Sequence, residues 1–342
     1  MSCHLTPMSF TQKLVQTISE VSFADCSATV VGCGYMGKEY LKALQTLNLK
    51  VSSIRVCSRR IVDTETIPGR PIVSSSGYQN FRQKPAPQEL AIIAIPTKDL
   101  LPAARHLREL GFKRFLIEKP LALSSQEIQE FQKEFTGGDT EVMCAYNRVA
   151  YPSFLEAKNL AEQEGGITSC YYTMTEIIGK VWTERFPREE LAHWGIANSL
   201  HVASMAHGLI GLPKSWTNFQ EGNAYTWHPT GSIFVGSGIS QQNIPFAYHA
   251  DWTSTGRWSV EFHTRRASYL LCPLEKLFRR TSFKEAWIEV PLHTYSDKIK
   301  VGIVEEVAAM LSPQIKSLVS LYSLEDTYLL TQFGEEVFGY AS

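Results

Sequence analysis

The sequence lacks the usual means of stapling or anchoring a chain. Its seven cysteines stand at positions 3, 26, 33, 57, 144, 170 and 272, with no C-x-x-C pair and no regular spacing. An odd number of scattered thiols speaks against a disulfide framework and for a reducing compartment. No apolar run approaches the ~20 residues that cross a bilayer. The first 25 residues carry Lys13, Glu20 and Asp25 and lack the ~7–15-residue apolar core of a secretory signal. A cytoplasmic protein without a membrane span is expected. Basic and acidic residues number 33 and 34, for a net charge of −1, which gives no basis for a nucleic-acid partner. Histidines 193, 201 and 207 lack H-E-x-x-H spacing and a nearby Cys/His set, so no metal is expected. The absence of a G-x-S-x-G elbow removes serine-hydrolase chemistry.

What is present is a chain of 342 residues, 44% hydrophobic, long enough for two domains. The spacing of Phe10, Leu14, Val15, Ile18 and Val21 predicts a short helix in an N-terminal extension, residues 1–25. From Ser27 onward strands alternate with helices. Strands are expected at 28–31, 51–57, 90–95, 115–117 and 142–146, with helices over 36–47, 99–110 and 124–135. That alternation predicts a doubly wound parallel sheet, an α/β Rossmann domain over residues 1–148. Beyond it, after a helix at 152–164, strand-like segments at 168–176, 231–239, 246–253, 257–264, 267–272 and 286–290 predict an α+β domain over 149–342. Its sheet should be open and largely antiparallel. The last 40 residues return to helical periodicity.

Gly32-Cys33-Gly34-Tyr35-Met36-Gly37 fits G-x-G-x-x-G where it carries meaning, after a strand and at the opening of a helix. Gly32 permits the tight turn, Gly34 lets a pyrophosphate approach the backbone, and Gly37 lets the helix pack closely on the strand. Free N–H groups at the helix start then face the phosphates. The next strand ends in Cys57-Ser58-Arg59-Arg60 rather than in an acid. A hydroxyl and two guanidinium groups suit a 2′-phosphate, so NADP is expected, with NAD second. Asn147 and Arg148 follow the last strand of the half, where ligands of parallel sheets lie. A cofactor contact for Asn147 and a substrate contact for Arg148 are expected. A domain-hinge hydrogen bond is the alternative.

Four stretches taken together resemble the Gfo/Idh/MocA family, named for glucose–fructose oxidoreductase and inositol dehydrogenase. They are the glycine motif, the turn Ile95-Pro96-Thr97, Glu118-Lys119-Pro120-Leu121-Ala122, and Ala145-Tyr146-Asn147-Arg148. The helix-like stretch from Asn198 to Gly211 is a fifth. The resemblance adds Ile95, Pro96, Thr97, Glu118 and Lys119 to the cofactor contacts. It implies that Lys119 orients the substrate hydroxyl or takes its proton, and that His201 is the second proton-handling residue. Asn198 joins Lys119, Arg148 and His201 as a substrate contact. Many members place an aspartate four residues before this histidine and often another three after it. Here those positions hold Ala197 and Ser204, leaving Asn198 or Ser204 to hydrogen-bond the ring. Trp227-His228-Pro229 and residues 256–261 are similar to one branch, whose neighbours belong to surface-polysaccharide pathways. The function implied is hydride transfer between a nicotinamide cofactor and a small, sugar-like substrate by a homodimer or homotetramer assembled through the C-terminal sheet. The missing acids leave open an idle cofactor-binding sensor or scaffold. A lyase or glycosidase that recycles its nicotinamide internally is a third reading.

Overall fold

The structure, a computed structural model, describes residues 8–59, 72–74, 77–136 and 138–340. Helix α1 (Phe10–Glu20) opens with a capping box between Ser9 and Gln12 and buries Leu14 and Ile18. It is tied to a distant helix by Glu156, which accepts from the Thr11 amide at 2.9 Å and its hydroxyl at 3.0 Å.

The first sheet contains β1 (Ala28–Val31), β2 (Ile54–Cys57), β3 (Ile72–Ser74), β4 (Leu90–Ile93), β5 (Arg114–Glu118) and β6 (Glu141–Ala145), all parallel. β1 and β4 are buried along their whole length, as their unbroken apolar sequence requires of strands covered on both faces. Helices α2 (Tyr35–Thr46), α3 (Thr97–Glu109) and α4 (Ser125–Phe135) make the crossovers. The strand order runs 6-5-4-1-2-3 across these six. The order therefore reverses beside β1, which opens a crevice above its C-terminal end.

Helix α5 (Pro152–Gln163) leads to β7 (Ser169–Thr173) in the second sheet. The short helices α6 (Lys180–Arg185) and α7 (Arg188–Ala192) follow. A wide π-type turn over Gly195–Ser199 then runs into α8 (Leu200–Ile210). The remaining strands are β8 (Pro213–Glu221), β9 (Ile233–Ser240), β10 (Pro245–Asp251), β11 (Ser259–His263), β12 (Ser268–Leu271), β13 (Phe278–Arg280) and β14 (Ile288–Glu289). With β7 between β11 and β10 they form an eight-stranded sheet, antiparallel except for the β7–β10 pair. In β10 and β11 buried and more exposed residues alternate, the pattern of a sheet with one covered face.

The C-terminal segment then returns to the first domain. α9 (Ile303–Leu311) packs on α2, and α10 (Pro313–Lys316) follows it. β15 (Tyr322–Ser323) adds an antiparallel edge to β6, and α11 (Leu324–Phe338) packs on α4, α8 and β8. The expected composition of 149–342, a sheet domain with helices, is therefore incomplete, because residues 303–338 also complete the Rossmann layer. Among the described residues no helix is long and apolar enough to cross a membrane.

Candidate active site

A cleft of about 980 Å³ runs along the C-terminal ends of β1, β2, β4 and β5. The glycine motif forms its floor. Gly32 has φ +102°, and a Cβ there would lie 2.1 Å from the Ala94 carbonyl oxygen. A Cβ on Gly37 would lie 2.1 Å from the Gly32 carbonyl oxygen. Both positions therefore need glycine for the fold itself. Gly34 differs: it caps α2 in an extended conformation, and a Cβ there meets no atom within 4 Å. The space a side chain would fill is the space into which the first turn of α2 presents its free N–H groups. Such a cradle fits a diphosphate.

Ser58 and Arg59 line one end of the cleft beside Gly77, Tyr78 and Asp99. Arg59 Nη1 stands 3.6 Å from the Asp99 carboxylate. Ile95, Pro96 and Thr97 line its middle. There Thr97 donates its hydroxyl proton to Glu190 of α7 at 2.8 Å, so the second domain closes over the groove.

Lys119 marks the other end. It follows β5, its bond to Pro120 is cis, and Nζ donates to the carbonyl oxygen of Ala197 at 2.7 Å. That carbonyl belongs to the π-type turn, the kind of irregularity often found at functional sites. Burial, with help from the charges of Arg148 and Lys300, brings the Lys119 ammonium down to about 8. An ammonium taken out of water and placed near other cations releases its proton more readily.

Behind it, Glu118 accepts from the Tyr40 hydroxyl at 2.9 Å, and the same hydroxyl stands 3.5 Å from Glu306. Burial raises both carboxyls, that of Glu306 well above the usual range. On the second-domain side, Arg148 Nη1 donates to Asn147 Oδ1 at 2.8 Å and to His201 Nε2 at 3.2 Å. A guanidinium gives hydrogen bonds and cannot accept them. His201 is therefore neutral, with its proton on Nδ1, and that nitrogen is buried without a partner among the described residues. Burial and the nearby charges of Arg148, Lys119 and Lys300 lower the imidazole well below its ordinary range.

The family model for oxidoreductases with an NAD-binding Rossmann fold, GFO_IDH_MocA, matches residues 26–146. Over those residues the chain is similar to that family. Solved structures extend the likeness of fold across the chain. Levoglucosan dehydrogenase in complex with NADH and levoglucosan superimposes with a TM-score of 0.71 at 16% identity, covering 92% of this chain and 96% of that one. UDP-N-acetylglucosamine 3-dehydrogenase from Acidithiobacillus ferrooxidans gives 0.66 at 11% identity over 91% and 96%. An oxidoreductase from Agrobacterium radiobacter, in complex with NAD+, L-tartaric acid and magnesium, gives 0.70 at 10% over 93% and 96%. No curated protein sequence matches.

The cleft brings together Gly32, Gly34, Tyr35, Met36, Ser58, Arg59, Ile95, Pro96, Thr97, Glu118 and Lys119. Gly37 lies just beneath, and Arg60 falls outside the described residues. Asn147 is not among the lining residues: its amide donates to the Val301 carbonyl oxygen at 3.1 Å and accepts from Arg148, which is the hinge alternative. Neither residue expected to bond the His201 ring does so. Asn198 donates to Glu176 at 2.8 Å, and the Ser204 hydroxyl donates to the His201 carbonyl oxygen at 2.9 Å. A residue three positions after the histidine on α8 has the backbone carbonyl closer than the ring, and a short hydroxyl takes that local partner. His207 packs in the core against Tyr172 and Phe246.

Sequence reasoning missed Tyr40, Glu176, Lys300 and Glu306. Glu305-Glu306 was the readable signal, two acids inside the apolar run of α9. Acids so placed are rarely fully buried without a reason. Glu176 accepts from Trp194 Nε1 at 3.1 Å as well as from Asn198, and burial raises it to about 7.

Proposed function

We propose that the protein transfers a hydride between NADP(H) and a hydroxyl-bearing carbon of a sugar derivative. The observation that carries this reading is Lys119, a buried ammonium brought down to about 8 at the end of a dinucleotide-shaped cleft and aimed by a carbonyl of the facing domain. The N-terminus of α2 and Gly34 hold the diphosphate. When bound, the nicotinamide supplies or accepts the hydride. Lys119 holds the reacting oxygen and exchanges its proton, as base in oxidation and as acid in reduction. His201 keeps Arg148 in place through Nε2 and leaves proton transfer to Lys119. The levoglucosan and UDP-N-acetylglucosamine named for the neighbours above support a sugar class of substrate.

Arg59 supports NADP, with Asp99 competing for its charge. We place the enzyme in the cytoplasm, in surface-polysaccharide synthesis, as a homodimer or homotetramer. The outward side chains Phe219, Val235 and Ile239 on β8 and β9 are exposed and support assembly through that sheet face. The test is fluorescence titration with NADPH and NADH, followed by absorbance assays on a panel of sugars and oxo-sugars. Micromolar binding of NADPH with turnover of a panel member supports the reading. Failure of both dinucleotides to bind refutes it.

A further inference from the structure

Past Lys119, away from the glycine motif, Arg148 is a cation without a counter-ion. Among the described residues it enters no ion pair. Its Nη1 is engaged by Asn147 and His201, whereas among the described residues Nε is buried without a partner and no hydrogen bond uses Nη2. The unused pair, Nε and Nη2, is one edge of the guanidinium fork, the shape that grips two oxygens of one oxyanion. The rings of Tyr151 and Trp258 lie 5.7 and 5.9 Å from the guanidinium carbon. They fix its plane.

The surroundings do not supply the missing negative charge. Arg148 is close enough to Lys119 and Lys300 that its charge lowers both ammonium groups. Of the acids whose charge reaches Arg148, Glu275 is exposed and forms no ion pair with it, while Glu118 and Glu306 share the Tyr40 hydroxyl and burial raises both. A partly buried guanidinium left unpaired among cations is costly, and a bound anion removes that cost.

Resting on the hydride-transfer reading, we propose that Arg148 is the specificity residue of an oxyanion subsite, and that the substrate carries a carboxylate or phosphate within one sugar ring of the carbon beside Lys119. His201 is a positioning residue for it, because its Nε2 accepts from Nη1 and so occupies the other side of the guanidinium. The substrate class is thus a sugar acid or sugar phosphate rather than a neutral sugar.

The experiment compares the wild type with Arg148→Met, measuring binding in the NADPH-loaded forms and turnover with NADP+ as the hydride acceptor. Isothermal titration uses D-glucuronate, D-glucose 6-phosphate and D-glucose, and the absorbance assay uses matched sets of uronates, sugar phosphates and neutral sugars. The wild type is expected to bind one anionic probe at least 100-fold more tightly than glucose, with the preference in KM rather than kcat. Arg148→Met is expected to lose that preference while binding NADPH normally. The probe that binds tells carboxylate from phosphate. Equal binding of neutral and anionic probes, no binding of any anion, or a preference that survives in Arg148→Met overturns the subsite. Failure of NADPH to bind the wild type would instead sink the hydride-transfer reading.

Discussion

The two ends of the cleft are built by different means. At the dinucleotide end the backbone does the work: a left-handed Gly32, an extended Gly34 and the opening turn of α2, all within six consecutive residues. At the far end the work falls to side chains collected from five places. Lys119 comes after β5, Arg148 after β6, Glu176 after β7, His201 from α8, and Glu306 from α9. One end is a local conformation that a short motif can specify. The other is a product of topology, and its electrostatics exist only once the chain has returned from residue 300 to pack on α2.

Substitutions can sharpen that contrast. The largest effect is expected from Lys119→Met, which should lower kcat by about 10²–10⁴-fold while NADPH titration stays within twofold of the wild type. Loss of NADPH binding in that variant would merge the two ends into one. Next comes Arg59→Leu, expected to weaken NADPH by about tenfold, ~1.4 kcal/mol, with NADH unaffected; equal effects on both would assign NAD. The pH profile is a third test. With Lys119 brought down to about 8, its neutral form accumulates as pH rises. Oxidation should therefore climb through pH 8, whereas reduction, which needs the protonated form, should fall above it. A profile flat from pH 7 to 9 in both directions would contradict the proton-carrying role. The smallest effect is expected from Thr97→Val, which removes the bond to Glu190. It should raise the KM for the dinucleotide about fivefold, in line with ~1 kcal/mol for one hydrogen bond.

The sequence disclosed most where local rules act. The strands around the glycine motif were legible because buried parallel strands are apolar throughout, and the ends of α2, α3 and α4 followed from helical spacing. The strand expected over 51–57 begins later, since residues 51–53 form a single 3-10 turn. β8 escaped notice because it is an edge strand starting at a proline, with most of its residues exposed and mixed in polarity. β3 and β15, three and two residues long, are too short to show a period and exist only through their partners.

In the site, Lys119 was reached through a resemblance and not through spacing, since one lysine after a strand carries no local signature. The π-type turn that aims it is no more legible, because Gly195–Ser199 reads as ordinary helix. The hydrogen-bonding of Asn198 could not be foreseen either: its partner, Glu176, lies 22 residues away.

One measurement tests the account at its centre: NADPH fluorescence titration of Gly34→Val, with the thermal midpoint recorded alongside. Gly34 has ordinary extended backbone angles and open space where the side chain would go, so the variant should melt within about 2 °C of the wild type, as a substitution worth under ~0.5 kcal/mol does. Its NADPH affinity should fall by 100-fold or more, because the valine occupies the diphosphate's place. A stable Gly34→Val protein that binds NADPH as the wild type does would contradict the account.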